Sequence, residues 1–270
     1  MYGHVAELRA PAAGARGNGA PPLLGLPAGP KGVTIYAVGD IHGRLDLLDG
    51  IHREIDTDKI HCRHRRVAEI YLGDYIDRGP QSAGVISRLI ARSRETYTIF
   101  MRGNHEQLLL DFLSGLAGFE PWKAVGAIPT LLSYALPPEF LEEASDTRIR
   151  RALGSSMPDE HKEFILQTAP YCQTGRYLFV HAGVRPGMRL EEQTRDDILG
   201  IRREFLEFAG DYGWIVVHGH TPVRDPDFRS NRINIDTGAC ATNRLTCFKI
   251  GEDGPRVLAV GSLSSSGTRR

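Results

Sequence analysis

Cysteine is scarce, and the four present (Cys62, Cys172, Cys240 and Cys247) form no Cys-x-x-Cys pair. This excludes a zinc-ribbon spacing and a dense disulfide framework, and the four read as reduced, structural thiols. Net charge is also missing: 33 Lys+Arg balance 33 Asp+Glu over 270 residues, so bulk charge does not grip nucleic acid or an anionic membrane. No run approaches the roughly 18 apolar residues of a membrane-spanning helix. The first ten residues lack the apolar core of a signal peptide. A soluble, cytoplasmic protein without a nucleic-acid or membrane partner is expected. What remains, 41% hydrophobic and 24% charged residues, is ordinary globular composition at a length that suits one large α/β domain.

Proline and glycine crowd the stretch 11–32 without a periodic apolar face, so residues 1–32 read as a flexible N-terminal segment. The Ser/Gly-rich stretch 261–270 reads as a flexible tail. The domain expected between them, 33–260, begins with three β-branched or aromatic runs, 33–38, 67–72 and 97–101, each with glycine close behind, which read as buried strands. Leu45, Leu48, Ile51 and Ile55 recur at helical spacing after the first run, and Val85, Ile86, Leu89 and Ile90 after the second, which implies βαβ units. From about 107 to 175, helical stretches broken by prolines and no clear strand suggest a helical cap insertion. Beyond it lie strand-like runs at 177–180, 214–217, 232–235, 245–250 and 256–260, with one good helix, 195–208. The fold class expected is α/β: two packed mixed β-sheets flanked by helices.

Polar clusters close the first three strands: Gly39-Asp40-Ile41-His42-Gly43, Gly73-Asp74-Tyr75-Ile76-Asp77-Arg78-Gly79 and Gly103-Asn104-His105-Glu106. His181-Ala182-Gly183 and His218-Gly219-His220-Thr221-Pro222 follow later. Loops beyond the carboxyl ends of strands in an α/β sheet converge on one crevice, which would gather Asp40, His42, Asp74, Asn104, His181 and His220. Carboxylate and amide oxygens mixed with imidazoles, and no thiolate, suit Mn(II), Fe or Zn better than a structural zinc site or Ca(II). Six candidate ligands suggest two divalent ions bridged by an aspartate, roughly 3.5–4 Å apart as in two-metal hydrolases.

In this order, the clusters G-D-x-H-G, G-D-x-x-D-R-G, G-N-H-E, H-A-G and G-H-T-P resemble the phosphoprotein phosphatase family of the calcineurin-like metallophosphoesterases, from about Tyr36 to Gly238. The resemblance is strongest to bacterial and phage Ser/Thr phosphatases and to symmetrical diadenosine tetraphosphate hydrolases. It implies the calcineurin-like metallophosphoesterase fold, with Asp40 and His42 on a first metal, Asp74 bridging, and Asn104, His181 and His220 on a second. It further implies His105 as general acid, Asp77 as the carboxylate that orients it, and Arg78 and Arg202 as phosphate clamps beside Asn104. Gly200 stands where the family usually has Trp, which leaves Arg203 as an alternative to Arg202.

The resemblance implies a phosphomonoesterase acting on phosphoserine and phosphothreonine in proteins, or, as the alternative, a dinucleoside polyphosphate hydrolase; either would take a phosphopeptide or a phosphorylated small molecule as its partner. A diesterase or nuclease is disfavoured because Pro222 occupies the place of that group's last histidine in G-H-x-H. A binding module with a relic site would lack a ligand or the acid, and neither is missing. Other residues read as structural. His61-Cys-Arg-His64 reads as a solvated basic loop, and His218, one strand position from His220, as pointing to the other face. Phe119, Trp122 and Tyr134 read as core or as the lining of a groove, and Asp236 as a turn residue or a partner beside the site.

Overall fold

The computed structural model describes residues 6–7, 26–60, 66–252 and 254–261. Strand β2 (Val33–Val38) is followed by helix α1 (Leu45–Lys59), β3 (Arg66–Tyr71), α2 (Ser82–Glu95) and β4 (Tyr97–Phe100). The three strands pair in parallel, and β10 (Leu245–Ile250) and β11 (Arg256–Val260) extend the sheet antiparallel on the β2 side, giving the order β11-β10-β2-β3-β4. The second sheet has the order β1-β5-β6-β7-β9-β8, formed by β1 (Ala6–Glu7), β5 (Tyr171–Thr174), β6 (Tyr177–Val180), β7 (Ile215–His218), β8 (Asp227–Phe228) and β9 (Arg232–Asn234). The expected two mixed sheets are therefore present.

Strand periodicity explains how the layers stack. Val33, Ile35 and Ala37 of β2 face the second sheet and meet Phe179, Val217 and Ile233 there, while the alternate residues Tyr36 and Val38 face helices α1 and α2. On the far side, Leu178, Val180 and Val216 pack under α9 (Arg195–Gly200) and α10 (Arg203–Leu206). Leu47, Leu48, Ile51 and Ile55 form the buried face of α1, with Asp46 in its first turn and Lys59 in its last, both favourable to the helix dipole.

The cap comprises α3 (Asn104–Ser114), α4 (Phe119–Ala124), α5 (Ile128–Ser133), α6 (Pro138–Glu143), α7 (Asp146–Ser156) and α8 (Asp159–Leu166). Pro129 and Pro138 lie in the first turns of α5 and α6, where a missing N–H is harmless. Phe112, Trp122, Leu131 and Ile149 belong to the same core cluster as α1 and α2, so the cap is an extension of that core.

Three boundaries depart from expectation. The insertion is helical only to Leu166, because residues 171–174, assigned to it, pair antiparallel with β6 as β5; this strand is four residues long and lies between Pro170 and Gly175, too short for alternation to be legible. The helix expected over 195–208 is broken at 201–202, where Arg202 adopts φ −131 and ψ −88. The N-terminal segment 1–32 contributes two placed pieces: Ala6 pairs with Cys172, and Leu26 is 3% exposed beside Pro27, whose carbonyl accepts the Tyr177 hydroxyl at 2.6 Å. Proline and glycine at 27–32 do not prevent the neighbouring Leu26 from being buried as an apolar anchor. Residues 1–5 and 8–25, the run His61 to His64 and most of the C-terminal tail lie outside the described residues. Among the described residues no helix is long and apolar enough to cross a membrane.

Candidate active site

Every residue of the proposed centre except Arg202, which lies in the break between α9 and α10, lies just beyond the carboxyl end of a strand. Asp40 and His42 follow β2, Asp74, Asp77 and Arg78 follow β3, and Asn104 and His105 open α3 after β4; His181 follows β6, His220 follows β7 and Asp236 follows β9. The backbone turns sharply at these points. His42, Asp74, Asp77, Arg78 and His220 all have positive φ, between 47 and 72°, a conformation that costs a non-glycine residue of the order of 1–3 kcal/mol and that persists only where surroundings enforce it.

Asp74 is the hub. One carboxylate oxygen, Oδ2, lies 3.5 Å from His42 Nε2 and 3.7 Å from His105 Nε2, while Oδ1 lies 3.3 Å from His181 Nε2. Asn104 Oδ1 lies 3.0 Å from His181 Nε2 and 2.9 Å from His220 Nδ1. His42 and His181 each direct Nδ1 at a backbone carbonyl, of Ile76 and Leu72, both at 2.9 Å, which fixes the rings and leaves Nε2 facing the centre. Asp40 accepts the His220 backbone N–H at 3.0 Å through Oδ2, whereas its Oδ1 and His220 Nε2 are buried with no hydrogen-bond partner among the described residues.

Those two orphaned atoms test whether a metal pair fits. Burial, together with Asp236 and Asp74, pushes the Asp40 carboxyl well above its usual range, and burial pushes Asp236 up to about 6. Burial also opposes the charge on Asp74, but His181, His105, His42 and His220 outweigh it and hold that carboxyl below the usual range. Burial depresses His42 and His220 to about 3 and lowers His181, leaving neutral imidazoles, the form that binds metal. Crowded carboxylates, neutral imidazoles and unpartnered donor atoms make a set that divalent cations satisfy.

His105 is the exception among the four central imidazoles. Burial disfavours its charged form, but Asp74 and Asp77 outweigh burial and raise its pKa. Its Nδ1 lies 2.6 Å from Asp77 Oδ2, and its Nε2 lies 3.0 Å from Arg78 Nη2. The Arg78 guanidinium is steered by the cap, since Nε donates to the Val125 carbonyl at 3.4 Å and the Arg78 backbone N–H to Gly126 at 3.0 Å.

Close approach restricts two neighbouring positions to glycine. A Cβ at Gly103 would fall 2.1 Å from Asp74 Oδ1, and one at Gly219 would fall 1.9 Å from Asp40 Oδ1. Gly219→Ala is therefore expected to displace the Asp40 carboxylate and weaken metal binding by roughly 10–100-fold, the usual effect of disturbing a ligand's support. Titration with Mn(II) measures this, and unchanged affinity would show that Asp40 does not need its present position.

The family model of the calcineurin-like phosphoesterases matches residues 33–247. The chain belongs to that family. Among curated relatives of this calcineurin-like phosphoesterase, the asymmetrical bis(5'-nucleosyl)-tetraphosphatase PrpE of Anoxybacillus flavithermus is 28% identical over 236 residues, covering 80% of this chain and 89% of its own. Among solved structures, one assigned provisionally as a diadenosine tetraphosphatase overlays with a TM-score of 0.58 and 19% identity, over 87% of this chain and 96% of the other. A protein serine/threonine phosphatase from Saccharomyces cerevisiae shares the fold at a TM-score of 0.51 and 13% identity, over 86% and 81%.

Sequence reasoning missed three supports of this phosphoesterase centre. Trp122, read as core or groove, donates its indole N–H to Asp77 Oδ2 at 2.8 Å, and Thr130 donates its hydroxyl to Asp77 Oδ1 at 2.6 Å. Glu106 accepts the backbone N–H groups of Asp74, Tyr75 and Gly103 at 2.8–2.9 Å and so ties the β3 loop to α3. For Glu106 the G-N-H-E cluster was a usable signal, since a glutamate at the third position of a helix caps its start. His218 does face away from the centre: its ring meets Phe205 edge-on at 4.8 Å, under α10. Asp236 lies beside Asp40 and accepts the Gly238 backbone N–H at 2.9 Å.

Proposed function

We propose that this chain hydrolyses one phosphoanhydride bond of a bis(5'-nucleosyl)-tetraphosphate, asymmetrically, into a nucleoside monophosphate and a nucleoside triphosphate. The observation that carries the substrate is the match to relatives named as asymmetrical tetraphosphatases over 80% of this chain and 89% of theirs. This moves the expected phosphoprotein substrate to second place, because the likeness to serine/threonine phosphatases is one of fold alone.

Two divalent ions, Mn(II) in the first instance with Fe or Zn also suited to the donors, would be held by Asp40, His42, Asp74, Asn104, His181 and His220. When bound, such ions supply a water deprotonated near neutral pH and polarise the phosphoryl oxygens. Arg78 and Arg202 hold the remaining oxygens of the attacked phosphoryl group through planar, permanently charged guanidinium groups. Arg202 is preferred to Arg203, because its charge is felt at His181 and His220 while Arg203, likewise exposed, is turned to Glu207 at 3.1 Å. The water oxygen bonds to phosphorus, the bridging P–O bond breaks, and its electron pair leaves with the departing nucleotide. His105, held in its acid form against burial by Asp74 and Asp77, is placed to protonate the leaving oxygen, which matters most where that oxygen is an alkoxide and least where it is a phosphate oxygen.

Initial rates with Mn(II) restored after chelation, on diadenosine tetraphosphate and on a phosphoserine/phosphothreonine peptide, test the reading. The nucleotide should be cleaved faster, yielding AMP and ATP in equal amounts by chromatography. A faster peptide, or ADP as the sole product, would overturn it.

A further inference from the structure

Beside Asn104 a cleft of about 370 Å³ opens between α3 and α9. Asn104, Gln107, Leu108 and Asp111 form one wall; their spacing of three and four residues puts all four on a single stripe of α3. Arg195, Leu199 and Gly200 of α9 form the opposite wall, and Arg195 spans the gap to Asp111 at 3.4 Å. A Cβ built at Gly200 meets no atom within 4 Å, so this wall is open where a side chain would otherwise project.

The volume is within the range of small-molecule sites, and the lining has the mixture such sites use. Leu108 and Leu199 are apolar surfaces for the face of a base. The Gln107 amide and the Asp111 carboxylate are acceptors for amino and hydroxyl hydrogens; the Gln107 amide already donates to Asp111 Oδ1 at 2.8 Å, which aims both groups. Asp111, Asp196 and Asp197 outnumber the lining arginines Arg185 and Arg195, and carboxylates accept from ribose hydroxyls, so the cleft suits the nucleoside end of a nucleotide rather than its phosphates. Asn104 belongs both to the cleft and to the centre, where its Oδ1 meets His181 and His220. A nucleoside seated there brings its own α-phosphate, one ester oxygen away, to the reacting position.

Resting on the functional reading above, we propose that this cleft is the subsite for one nucleoside of the dinucleoside polyphosphate, and that Gly200 supplies its room. Occupancy of this subsite makes the α-phosphorus the one attacked, so the products are a monophosphate and a triphosphate.

Gly200→Trp fills the cleft from one wall and Leu108→Trp from the other, so a folding or local defect peculiar to one variant is exposed by comparison with the second. Both should raise the KM for diadenosine tetraphosphate roughly tenfold or more with kcat changed less than about threefold, and should weaken competitive inhibition by adenosine to the same degree. Inorganic phosphate, which reports on the metal centre and Arg202, should keep its inhibition constant within about threefold. An unchanged KM in both variants, or a parallel loss of phosphate inhibition, overturns the subsite while the unsubstituted enzyme still cleaves the tetraphosphate. Failure of the unsubstituted enzyme to cleave it overturns the functional reading instead.

Discussion

Asp74→Asn is expected to remove both metal ions together and to lower hydrolysis of every phosphate substrate by about 10³-fold or more, the scale on which electrostatic stabilisation of the transition state acts. The geometry makes this residue different from the other five candidates. Its two oxygens are divided between the two halves of the centre, Oδ2 towards His42 and Oδ1 towards His181. An amide keeps one acceptor oxygen, presents an N–H₂ donor in place of the other, and loses the negative charge around which four imidazoles are gathered. The substitution is otherwise mild. Asparagine tolerates the positive φ of 53° at this position better than most residues, and a retained Oδ1 can still accept the His105 backbone N–H, now at 3.2 Å. Elemental analysis of the purified variant therefore reads the shared role with little interference from unfolding. Near-zero metal supports a bridge; two ions per chain would show that Asp74 does not join the positions; loss of one ion would assign it to a single metal.

Much of this centre was legible because each candidate cluster lies at a strand end, and strand ends of an α/β sheet share a crevice. Asp40, His42, Asp74, Asn104, His181 and His220 could be gathered from five short motifs, and the structure brings all six together. What surrounds them was less legible. Trp122 and Thr130 reach Asp77 from the cap, across 45 and 53 residues of sequence, and no periodicity reports a contact of that range. Similarly, β5 is defined by pairing with β6 and β1 rather than by its own four residues, and the break at 201–202 is marked in the sequence only by Gly200, a weak helix former inside an otherwise helical stretch. Substrate class was the least legible feature. Neutral overall charge fits a peptide or a nucleotide equally, and the residues that form the cleft beside Asn104 come together only when α3 and α9 pack.

His105→Asn separates the acid from the ligands, and its effect should depend on the leaving group. Displacement from an alkyl phosphate such as phosphoserine expels an alkoxide close in basicity to hydroxide, whose parent water has a pKa of about 15.7, so protonation at that oxygen is essential. Cleavage of a tetraphosphate expels a phosphate oxygen whose conjugate acid has a pKa of about 6, and this leaves readily as the anion. The variant should lose roughly 10²–10⁴-fold on the peptide or another alkyl ester, and less than about tenfold on diadenosine tetraphosphate. The pH profile should change in the same sense. Asp74 and Asp77 raise His105 against the effect of burial, so the acid form persists above the ordinary imidazole range, and alkyl-ester turnover falls as pH rises through that elevated value. In the variant this alkaline limb should vanish. Metal analysis supplies the decisive control, because His105 lies near enough to His42 and Asp74 to share an ion with them. Retention of both ions with a leaving-group-dependent loss identifies a proton donor. A uniform loss on both substrates together with a missing ion would make His105 a ligand and leave the acid's place to another group.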